Sequence, residues 1–156
     1  MGSVTLDLDD EAATARLAGR IAAAARARDV IALRGPLGSG KTSFARAFIR
    51  ALGHGGEEVP SPTFTLVETY AFPGRPPIWH FDLYRLEAPE EVYELGIEEA
   101  WGEGICLIEW PERIAPLLPA ARLEIVLARG AAPERRVATL DGGARWAPVV
   151  GDIGDD

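Results

Sequence analysis

The octapeptide Gly35-Pro36-Leu37-Gly38-Ser39-Gly40-Lys41-Thr42 constrains this chain more than any other feature. It stands between the apolar run Val30-Ile31-Ala32-Leu33 and a stretch, Lys41 to Leu52, whose Phe44, Phe48, Ile49 and Leu52 recur at helical spacing. Strand, glycine-rich turn and helix in that order aim backbone N–H groups and the positive end of the helix dipole at one point. The pattern is G-x-x-x-x-G-K-[ST], that of a phosphate-binding loop. Its glycines let the backbone adopt open dihedrals and approach phosphate closely. The lysine is telling as well. Of 16 Lys and Arg residues only Lys41 is a lysine, so a compact ammonium stands where this chain otherwise uses a guanidinium.

The loop assigns roles by position. Lys41 reaches the β- and γ-phosphates of a nucleotide, and the Thr42 hydroxyl can ligate Mg²⁺. Gly38, Ser39, Gly40, Lys41, Thr42 and Ser43 are the expected nucleotide contacts, with ATP and Mg²⁺ as the cofactors. A second acid is required at the end of a neighbouring apolar strand, to hold the metal. Ile105-Cys106-Leu107-Ile108-Glu109 supplies it, so Thr42 and Glu109 form the expected metal pair. Trp110 follows directly; it either stacks near the nucleotide or closes the core.

Two further segments carry polar chemistry. Ser61-Pro62-Thr63 follows the loop helix where nucleotide-switched proteins carry a segment ordered by γ-phosphate and metal, and Ser61 or Thr63 can make those contacts. His80-Phe81-Asp82-Leu83-Tyr84-Arg85 is the densest polar cluster, and strand alternation puts His80, Asp82 and Tyr84 on one face. Asp82 either orients an attacking water or holds the metal shell. Arg85 either neutralises charge on a transferred phosphoryl group, anchors a partner, or forms a surface pair. His80 reads as a structural hydrogen-bonder. Lys41, Asp82 and Glu109 are the catalytic candidates.

The remaining elements follow from periodicity and punctuation. Residues 9–28 read as a helix capped by Asp9 or Asp10, Phe64 to Tyr70 and Ile78 to Leu83 as a hairpin, Pro89 to Ala100 and Pro111 to Leu118 as helices. Arg122 to Ala128 and Arg135 to Leu140 read as late strands at an edge. The expectation is one α/β domain over 1–146, with a polar, frayed tail over 147–156. Its architecture is a three-layer α/β/α P-loop NTPase fold, the sheet mainly parallel with antiparallel additions.

Composition narrows the partners. The net charge of −8 and the absence of a basic cluster argue against direct nucleic-acid binding. No apolar run of about 18 residues is present to span a membrane, no secretory signal is recognisable, and the lone Cys106 suits a reducing compartment. A cytoplasmic location is expected.

Together, Gly35–Thr42 (GPLGSGKT), Ser61–Val67 (SPTFTLV), His80–Leu86 (HFDLYRL) and Ile108–Pro111 (IEWP) resemble the TsaE family, also called YjeE, from about Asp10 to Arg129. The resemblance implies the bacterial ATPase component of the machinery that attaches threonylcarbamoyl to adenosine in tRNAs reading codons that begin with A. It implies a TsaB–TsaD complex as partner, with TsaD performing the transfer. It implies phosphate binding by Lys41, Mg²⁺ service by Thr42 and Glu109, assistance to hydrolysis by Asp82, and Trp110 beside the site. Thr14 and Arg129 match positions that approach the base. Two positions depart from the pattern: Ser39 where Ala is frequent, and Arg34 where an acid is common. Two other readings of the residues remain. A small-molecule kinase on the same fold would need an arginine-bearing lid, which the sequence lacks. A nucleotide-dependent binding module would not hydrolyse ATP.

Overall fold

The structure is a computed structural model, and it describes residues 3–154. Seven strands form one sheet in the order β1-β7-β6-β2-β5-β4-β3. The four central strands, β6 (Leu123–Arg129), β2 (Val30–Arg34), β5 (Ile105–Glu109) and β4 (Ile78–Asp82), are mutually parallel. Antiparallel strands flank them: β3 (Val67–Tyr70) beside β4, then β7 (Arg136–Asp141) beside β6 and β1 (Val4–Leu8) beside β7. Helices α1 (Glu11–Ala24), α2 (Lys41–Leu52) and α4 (Gly143–Gly154) border one core. Helix α3 (Ile97–Glu103) and two 3₁₀ helices, Pro89–Leu95 and Pro111–Leu117, border the other. This is the expected three-layer arrangement.

Patterning explains the layers. Strands β2 and β5 are apolar almost throughout because both of their faces are covered. Leu33, Leu107, Phe44, Phe48, Leu17 and Ile21 meet in the larger core. Phe81, Ile108, Val92, Ile97 and Ile114 meet in the smaller one. Helix α1 starts where Asp10 accepts a bond of 2.9 Å from the Ala13 N–H, satisfying one of the free donors of the first turn.

Several elements differ from the sequence reading. Strand β6 is interior, lying between β2 and β7, so the late strands extend the sheet and β1 forms the edge. Strand β3 begins at Val67, because residues 63–66 form a turn in which Leu66 takes a positive φ of 69° and donates to the Pro62 carbonyl at 2.7 Å. The helix expected from Pro89 to Ala100 is two helices, divided at Gly96 in the left-handed region. The tail expected to fray over 147–156 is mostly helix α4; Asp155 and Asp156 lie outside the described residues. Trp146, Val150 and Ile153 share one face of α4 and are buried, which supplies the apolar contact that holds it. Arg145 clamps its start, its Nη2 donating at 2.7 Å to both Asp29 Oδ2 and the Ala24 carbonyl.

Candidate functional site

The loop between β2 and α2 has the backbone its sequence requires. Gly35, Gly38 and Gly40 have φ of 146°, 77° and 101°, all in territory that a side chain disfavours. A Cβ at Gly35 would collide with the Leu127 carbonyl on β6, so this turn is also a packing joint between strands. Gly40 precedes the first turn of α2 with no side-chain cap, leaving N–H groups there for a ligand. Ser39 turns inward. Its hydroxyl is buried with no hydrogen-bond partner among the described residues, and its N–H donates to the Pro36 carbonyl at 3.1 Å. The position therefore asks for a small side chain, and an alanine would serve as well.

Lys41, Thr42, Thr63, Asp82, Glu109 and Trp110 line one cavity of about 280 Å³, together with Gly38, Gly40 and Ser43. The Lys41 ammonium donates to the carbonyls of Gly35 and Pro36 and sits 4.0 Å from the Trp110 ring centroid. Burial pushes it below its ordinary pKa, against the pull of the Glu109, Glu112 and Asp82 carboxylates. Trp110 reaches this place because its own backbone is left-handed, with φ of 58°, directly after β5. A non-glycine residue held there stores on the order of 1 kcal/mol of strain. Its ring also meets Tyr84 at a centroid distance of 4.9 Å.

The carboxylates are tightly partnered. Glu109, buried, accepts from Thr42 Oγ1 at 2.9 Å on one oxygen and lies 2.7 Å from His80 Nε2 on the other. Asp82, opposite Glu109 in the parallel register, accepts from the Tyr84 N–H at 3.1 Å and from Thr63 Oγ1 at 3.3 Å. Thr63 in turn shares a 2.7 Å bond with Ser61. So the structure gathers the loop, the second acid, the 61–63 segment and Asp82 at the C-terminal ends of parallel strands. That is where open α/β sheets bind ligands.

The base-side candidates divide. Thr14 lies in a smaller adjoining cavity of about 150 Å³ with Glu11, Gly40, Ser43, Glu134 and Arg136. Arg129 lines neither cavity; its guanidinium packs over Gly38 and donates to the Leu37 carbonyl at 3.3 Å. Arg136 was not among the sequence candidates, yet it borders both cavities. In the sequence it is half of an unremarkable Arg-Arg pair, and only strand parity in β7 hints at its direction. A larger cavity of about 550 Å³ opens between α1, α2 and residues 58–60; it shares Ser43 but holds none of Lys41, Asp82 or Glu109. Arg34 pairs with Glu124 on β6 and, at 3.9 Å, with Glu112. Arg85 lies outside the cavity, its guanidinium 4.5 Å from the exposed Phe64 ring. Burial pushes the Cys106 thiol up to about 12, so it is inert. Among the described residues, no helix is long and apolar enough to cross a membrane.

Fold and loop together define a P-loop protein of the three-layer α/β class. The sequence profile of the family described as "Threonylcarbamoyl adenosine biosynthesis protein TsaE" matches residues 8–137. The chain belongs to this family. A tRNA threonylcarbamoyladenosine biosynthesis protein TsaE of Bacillus subtilis is 39% identical over 141 residues, 90% of this chain and 87% of the relative. The TsaE protein of Rickettsia felis is 43% identical over 122 residues, 78% of this chain and 71% of the relative. The crystal structure of Bacillus subtilis YdiB superposes with a TM-score of 0.79 at 30% identity, covering 99% of this chain and 95% of that one.

Proposed function

We propose that this chain binds Mg²⁺–ATP and hydrolyses it slowly, in support of a TsaB–TsaD pair that modifies adenosine in tRNA. The observation that carries the reading is the 2.9 Å bond between Thr42 and Glu109, made at the foot of a glycine loop whose one ammonium is Lys41. The donor set fits the cofactor: one hydroxyl and one carboxylate leave room for phosphate oxygens and water around a small hard cation. The cavity-side glycines leave the approach to the backbone N–H groups open.

Thr42 and Glu109 would hold Mg²⁺, which would supply neutralisation of the charge that develops on the phosphate oxygens. Lys41 would exchange the two loop carbonyls for phosphate oxygens. The N–H groups at the start of α2 hold the phosphate chain in place. Asp82 keeps its carboxylate beside Thr63 and positions a water by accepting its hydrogen bond. Because Thr63 bonds to Asp82 and to Ser61, that water site and the 61–63 segment order together. Arg136 and Thr14 border the ribose and base side. A cytoplasmic location suits such work.

The test is ATP hydrolysis by the purified chain, alone and with the TsaB–TsaD pair, beside Glu109→Ala. Slow turnover that the pair accelerates, and that the variant loses, is expected. Tight ATP binding with no hydrolysis in either condition would leave a nucleotide-dependent binding module. Acceleration by a small hydroxyl or acid acceptor, without the pair, would make it a kinase.

A further inference from the structure

The geometry assigns His80 as the positioning residue of the metal-facing carboxylate. This rests on the reading of Thr42 and Glu109 as the metal pair. His80 lies on β4 opposite Leu107, one alternation before the Asp82–Glu109 pair, so its ring runs diagonally across to the neighbouring strand. Its Nε2 lies 2.7 Å from Glu109 Oε2, and both side chains are buried, at 0% and 3% exposure. A carboxylate only accepts, so Nε2 carries the proton of this bond. Among the described residues His80 Nδ1 has no hydrogen-bond partner, so the ring's one hydrogen bond is spent on Glu109.

The two oxygens of Glu109 are thus held differently. Oε2 is pinned from within by a ring that packs in the sheet and has nowhere else to turn. Oε1 is held by Thr42, a hydroxyl at the cavity wall whose lone pairs are also wanted by a metal. With a cation on the Thr42 lone pairs, the Thr42 O–H could still donate to Oε1, and His80 would hold the carboxylate plane from the other side. Hydrogen bonds that orient a ligating carboxylate typically alter metal affinity about 10- to 100-fold when removed.

Two amide variants separate this role from packing. In His80→Gln the side-chain nitrogen falls near the place of Nε2, within reach of Glu109. In His80→Asn it falls near the place of Nδ1, too short to reach. ATP binding is titrated calorimetrically with each full-length variant, once in excess Mg²⁺ and once in EDTA. The expected result is EDTA affinity within about twofold of wild type for both variants. In His80→Asn the Mg²⁺ concentration needed to tighten binding rises about tenfold or more, and in His80→Gln it stays near wild type. Equal Mg²⁺ dependence in both variants, whether normal or impaired, overturns the assignment, as does a parallel loss of EDTA binding. A wild-type chain whose ATP binding ignores Mg²⁺ instead overturns the metal pair itself.

Discussion

The parallel centre of the sheet and its antiparallel wing approach the same cavity from opposite sides, and they are built differently. In the centre, β2 and β5 are covered on both faces, and their C-terminal ends deliver Gly35 and Glu109 directly. In the wing, β7 alternates buried Ala138 and Leu140 with half-buried or exposed neighbours, because one face turns to the larger core. The centre contributes the groups proposed above to meet phosphate and metal. The wing contributes Arg136, at the junction of the cavity holding Lys41 and Glu109 and the smaller one beside it. A site can therefore draw its chemistry from a short local motif and its boundary from an element over ninety residues later.

The largest expected effect tests whether the wing is an integral part of the fold. Trp146 is 1% exposed in the larger core, beside Val150 and Ile153. Trp146→Ala should cost about 3–5 kcal/mol of stability in chemical denaturation. A loss below about 1 kcal/mol would reduce α4 to an appendage. Next, Lys41→Ala should weaken ATP binding by roughly 100-fold, through lost charge-assisted bonds to phosphate. Lys41→Arg should not restore it, since a planar fork does not fit where a compact ammonium sits.

A sharper test sets Arg136 of the wing against Arg129 at the rim of the centre. Arg136→Ala should weaken ATP binding about tenfold, the worth of one charge-assisted bond, whereas Arg129→Ala should change it by less than about twofold. Equal effects would mean that the cavity boundary lies on β6, and the comparison would fail. The smallest effect concerns the seam between β2 and β6 within the centre, where Glu124 meets Arg34 and Arg122. Burial pushes the Glu124 carboxyl up, but the hydrogen bonds from Arg34 and Arg122 outweigh it and hold the group below its ordinary value. With the folded value depressed, the stabilisation is complete above the unfolded value and is lost as pH falls through the folded one. Glu124→Gln should thus lower stability by about 1 kcal/mol near neutrality and approach wild type below about pH 4, followed by melting temperature against pH. A constant difference down to acid pH would show that the seam is held by packing.

Much of the centre was legible because its signals are local. The loop needs glycine at particular dihedrals, a lysine and a hydroxyl in consecutive positions, and a strand and helix on either side; all of that lies within residues 30–52. Glu109 was legible as an acid closing an apolar strand. His80 was read as a structural hydrogen-bonder, but its partner was not readable, since pairing β4 with β5 joins residues 29 apart. Helix α4 was missed although Trp146, Val150 and Ile153 fall at helical intervals. Pro148 and the surrounding glycines lower the local propensity, and burial against strands from the other end of the chain overrides it.

The sequence by itself determined the phosphate-binding loop, the run of apolar strands that become a parallel sheet, and the identity of the acid at the end of β5, because backbone stereochemistry and hydrophobic periodicity act over a few residues. Tertiary structure alone decided that Arg136 rather than Arg129 borders the cavity, that Arg34 turns to Glu124, and that Glu109 is gripped between Thr42 and His80. Those outcomes depend on strand order and register, which are settled by how distant segments bury their surfaces together, and no local pattern contains that information.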